Sequence, residues 1–170
     1  MTAEDRAAPA RRTAQAAQVS GYTYGTIIVL SVIVAGARAY PHGAGHIAVL
    51  VAVTSAVFWL AHVYSHALGH SVAHDERISR AEVGFIARRE AAIIEAAVLP
   101  VVALVLGTLG VLETGTSVWL AIGLGFAALV VQAVRYARLE QLGLFATVIV
   151  IAVNIGLGLT LVALKLFVMH

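Results

Sequence analysis

His62, His66, His70 and His74 recur at four-residue intervals in AHVYSHALGHSVAH, and they are four of the seven histidines in the chain. Imidazole titrates near neutral pH and is a common metal ligand, so such a row suits proton exchange or the holding of a cation. On a helix each step rises about 6 Å and turns about 40°, which makes the row a gently winding stripe with its ends about 120° apart. In the other direction the stripe continues through Phe58, Thr54 and Leu50 to His46, polar at both ends and mainly apolar in between.

The elements that must carry this stripe follow from composition. Of 170 residues 61% are hydrophobic and 12% charged, and the mean hydropathy is +0.93. These values point to a polytopic membrane protein. There is no cysteine, which removes disulfides, thiolate metal sites and cysteine nucleophiles. A net charge of +2 with scattered bearers excludes a nucleic-acid surface.

A bilayer core of about 30 Å takes roughly 20 apolar residues in helix. Five such runs are present, at about 22–40, 46–68, 91–112, 117–136 and 142–165. They predict an all-α bundle of five transmembrane spans whose short links, YPHGAGH and ETGTS among them, force antiparallel neighbours. Arg6, Arg11, Arg12, Arg77, Arg80, Arg88, Arg89, Arg135 and Arg138 fall on one side, and Arg38 and Lys165 on the other. By the positive-inside rule the N-terminus is cytoplasmic and the C-terminus outside. Tyr22, Tyr24 and Tyr136 fall at the inner boundary, and Tyr40 and Trp119 at the outer one. A competing reading takes the first span, which ends in AGARA, as a cleaved signal segment; four spans of unchanged orientation would remain.

Residues 1–20 lack apolar periodicity and read as a disordered cytoplasmic tail or a fraying helix. In DERISRAEVGFIARRE, Ser79 and Glu82 have capping-box spacing, and Ile78, Phe85 and Ile86 share a face. A surface helix over about 79–89 is predicted on the inner leaflet.

Ionisable or amide side chains within spans are costly and mark function or a tight pairing. They are His62 and His66 on span two, Glu95 on span three, Gln132 on span four and Asn154 on span five. Because spans two and three run in opposite directions from an inner link, Glu95 is expected level with His62 or His66. His70 and His74 are expected at the interface. Pro100 removes a donor five residues after Glu95 and is expected to kink span three. Ala48, Ala52 and Ala56 offer a small-residue side on span two, and Gly21 and Gly25 form G-x-x-x-G on span one. Gln132 and Asn154 are expected to hydrogen-bond between helices, while Thr54, Ser55, Thr147 and Thr160 bond back to their own.

Three classes of function remain open. His62, His66 and Glu95 would relay protons or hold a divalent metal such as zinc in a channel or transporter. Alternatively the chain is an accessory or scaffold subunit, in a homo-oligomer or with other membrane subunits. An enzyme is least supported, with no H-E-x-x-H, no G-x-S-x-G and no acidic cluster.

The stretches VFWLAHVYSHALGH and REAAIIEAAVLP resemble small integral membrane proteins of actinobacteria, and the likeness covers most of the hydrophobic region. The resemblance implies the helical architecture and a bacterial inner-membrane location. It transfers no activity and no site residue.

Overall fold

The computed structural model describes residues 3–74 and 79–168, with side chains described over 15–72, 79–163 and at 167. Arg77 and Ile78, and the side chains of Arg6, Arg11, Arg12, His74 and Lys165, lie outside the described residues. Among the described residues every regular element is a helix: α1 (Ala3–Ala39), α2 (Ala44–His74), α3 (Arg80–Arg89), α4 (Ala92–Thr108), α5 (Thr114–Leu139) and α6 (Leu144–Val168). Four stretches are long and apolar enough to cross a membrane, within α1, α2, α5 and α6. α3 and α4 pass the same test only when taken together, as a pair bent by 48° at the break between them, which would make a fifth span. The all-α architecture is that read from the hydropathy. α1 is helical from Ala3, in line with the fraying-helix alternative for residues 1–20, through alanine-rich sequence of high intrinsic helix propensity.

α1 and α4 lie at the centre. α1 packs on α2, α4, α5 and α6, whereas α6 touches only α5 and α1 to any extent. Val29 and Ile33 of α1, Ile47 and Val51 of α2, Leu104 of α4 and Ala121 of α5 form one buried apolar cluster. The predicted G-x-x-x-G is an interface: a Cβ on Gly25 would sit 2.8 Å from the Ile93 carbonyl oxygen and 3.0 Å from its Cα. The α1 and α4 backbones therefore meet directly, as small residues permit in membrane helices. The alanine side of α2 is not used in that way. Ala48 is buried but Ala52 is exposed, and the face that packs runs through Ile47, Val51 and Ser55.

Helix ends explain where the chain turns. α3 begins with the predicted capping box, in which the Glu82 amide donates to Ser79 Oγ at 3.2 Å and the Ser79 amide donates to Glu82 Oε2 at 2.7 Å. α4 stops at Gly110, whose φ of 74° closes a Schellman turn with the Val111 amide donating to the Leu106 carbonyl at 3.0 Å. α5 stops in the same way with a non-glycine residue, Gln141 at φ 53°, and the Leu142 amide donates to the Ala137 carbonyl at 2.8 Å. α4 continues through Pro100 without interruption. The bend of 48° instead falls at Glu90 and Ala91, between α3 and α4.

Candidate functional site

The bend decides what meets the histidine stripe. α4 has 17 residues and is about 25 Å long. Its far end is fixed beside the start of α2, where a Cβ on Gly45 would lie 3.2 Å from Thr108. Counted along α2 from that point, the start of α4 comes level with residues near His62. The elbow residue Glu90 is thus presented to the next turn. His66 Nε2 stands 3.4 Å from Glu90 Oε1, with the histidine side chain 51% exposed and the glutamate side chain 11% exposed. The contact is an ion pair when the imidazole is protonated and a hydrogen-bond-length approach when it is neutral.

One further group holds the elbow in place. Trp59 Nε1 donates to the Ala87 carbonyl at 3.0 Å, satisfying one of the last carbonyls of α3 from the side of α2. Next to the ion pair a cavity of about 280 Å³ is lined by Ser65, His66, His70, Arg89 and Glu90 among others. Basic, acidic and hydroxyl groups thus line one space at the end of the bundle.

The expected partner Glu95 lies elsewhere. Glu95 is exposed and lies past the bend, on α4 itself, within electrostatic reach of the Tyr22 hydroxyl of α1. Neither His62 nor His66 forms an ion pair with Glu95. His62 turns toward α1: its Nδ1 lies 3.0 Å from the Phe58 carbonyl of its own helix, so that nitrogen carries the proton, and its ring rests 5.0 Å from that of Tyr24. Among the described residues no three of histidine, aspartate and glutamate come together as a metal site, so His62, His66 and Glu95 are not assembled as one.

The two amides also differ from expectation. Asn154 Nδ2 donates to the Val150 carbonyl of its own helix at 3.1 Å. Gln132 is buried, and its Oε1 has no hydrogen-bond partner. Thr147 and Thr160 do bond back to their own helix, to Gly143 and Gly156. At the opposite end of the bundle the rings of Tyr40 and His46 stack 5.0 Å apart, beside a cavity of about 670 Å³ that His42 also lines. Glu90 and Trp59 are the residues sequence reasoning missed. The signal available was the acidic residue closing the basic run ARRE, immediately before the apolar span.

Fold and site together define a polytopic α-helical membrane protein with an acid–histidine contact at one end of the bundle. Compared with known protein families, curated proteins and solved structures, the chain matches none.

Proposed function

We propose that this is a bacterial inner-membrane protein that moves a proton, or a divalent cation in exchange for one, and that His66 and Glu90 are the groups that receive it. The observation carrying this reading is the 3.4 Å contact between a half-exposed imidazole and a largely buried carboxylate. Such a pair can gain or lose one proton with little movement, because the carboxylate balances the imidazolium and the imidazole remains in contact with solvent. Arg89 lines the cavity beside it, and with Arg80 and Arg88 on the same short helix the positive-inside rule favours the cytoplasm for that end. His70 lines the same cavity and extends the stripe outward, giving a second imidazole to pass the proton on.

The centre of the bundle is closed by Val29, Ile33, Val51 and Leu104, all at most 1% exposed. Transport in this reading requires α2 to part from α4, and the elbow contact is the latch that charge would release. Reconstitution into proteoliposomes under a pH gradient tests it. Dissipation of the gradient, with or without a divalent metal on the far side, is the expected result. A gradient that decays no faster than in empty vesicles under both conditions overturns the reading.

A second reading, an accessory subunit of a membrane complex, is favoured by α6, of whose most apolar stretch only 6% is buried inside the molecule. Under that reading the vesicles stay tight, and substitutions on exposed apolar residues of α6 such as Val153 release the partner instead. Orientation is separately testable, because the chain lacks cysteine. A cysteine at Ser79 is expected to react with impermeant maleimide only from the cytoplasmic side.

A further inference from the structure

We propose that the cavity between α1, α5 and α6 binds the uncharged, hydroxyl-bearing head of a membrane amphiphile, a diacylglycerol being the simplest of the class. The cavity holds about 360 Å³ and is lined by Ser20 and Thr23 of α1, Gln132 of α5 and Asn154 of α6, with Tyr24 and Tyr136 beside them. Gln132 is 3% exposed, and its Oε1 has no partner. An amide oxygen left so in a low-dielectric interior is destabilising, and a ligand able to bond it would recover that loss.

The lining specifies what that ligand carries. Asn154 directs its nitrogen to the Val150 carbonyl, which leaves its oxygen for another donor. Both amide residues line the same cavity, and an amide oxygen in need of a partner calls for a hydroxyl donor. Among the described residues no ionised side chain lines the cavity, so a charged head would be desolvated there without a counter-charge. Depth agrees with this choice. Gln132 precedes Arg135 by one turn on α5, so with that arginine at the phosphate level Gln132 would lie roughly 4.5 Å further into the membrane. A glyceryl hydroxyl, unlike a phosphate, sits at that level. The cavity is open, and exposed Leu157 and Leu161 continue the row of Asn154 along α6 as a track for acyl chains.

The inference does not depend on the proposed transport role. Its test uses the full chain in detergent, with dioleoylglycerol as the probe and phosphatidylglycerol as the charged comparison. Wild type is expected to melt at higher temperature with dioleoylglycerol. Gln132→Leu should melt higher than wild type without the probe, because the unbonded amide is gone, yet show no further rise with it. Asn154→Leu, altered at a partly exposed position, should lose most of the rise as well. The proposal is overturned if wild type shows no rise, if both variants rise as much as wild type, or if phosphatidylglycerol raises wild type equally.

Discussion

Nε2 of His66 on α2 lies 3.4 Å from Oε1 of Glu90, the residue on which the chain turns from α3 into α4. The contact ties the histidine stripe to a bend rather than to a neighbouring span. A change of charge at either residue therefore acts on the angle at which α3 leaves the bundle, and Trp59 is the neutral tether that limits how far it can move.

Because the imidazole is half exposed, the pair is screened by solvent and its stability contribution is small. A double-mutant cycle of His66→Ala and Glu90→Ala should give a coupling of about 0.5 kcal/mol, within the roughly 0.2–1 kcal/mol range of such pairs. Thermal unfolding of wild type, the two single variants and the double variant in detergent checks it.

Gly25→Ala should lower stability by about 1–3 kcal/mol through overpacking, since the added methyl meets backbone that cannot swing aside. Gly21→Ala is the control. Its nearest contact, 3.4 Å to the Ala92 Cβ, is ordinary, so its melting temperature should stay near wild type.

Gln141 holds φ at 53° with a side chain that disfavours it. Gln141→Gly should raise stability by about 0.5–1 kcal/mol, the left-handed penalty less the extra backbone entropy of glycine. A lower melting temperature would mean that the turn after α5 is held by something other than its backbone geometry.

What the sequence made legible, and what it hid, divides by the range of the forces involved. The spans and the Ser79–Glu82 box were readable because hydropathy and capping act over a few adjacent residues. The pairing of His66 was not, because it depends on where α4 begins. Glu90 closes a charged run and reads as solvated surface, until the bend places it against α2. Glu95 sits in an apolar run and reads as the buried acid, yet it is exposed and lies within electrostatic reach of Tyr22 on α1. Apolar pattern gave its depth and not its azimuth. Gln132 and Asn154 looked like partners across helices, whereas a cavity adjoins both and Asn154 is already committed to Val150.

The most direct test of the central claim is the order of the two carboxylates in proton flux. Wild type, Glu90→Gln and Glu95→Gln are reconstituted at equal density into vesicles holding a pH-sensitive dye, and the initial rate is read after a pH jump. Glu90→Gln should slow the flux by about tenfold or more, equivalent to at least about 1.4 kcal/mol on the barrier, with Glu95→Gln within about twofold of wild type. Loss of flux in Glu95→Gln with Glu90→Gln unaffected would contradict the account and return the site to the face of α4 that meets Tyr22.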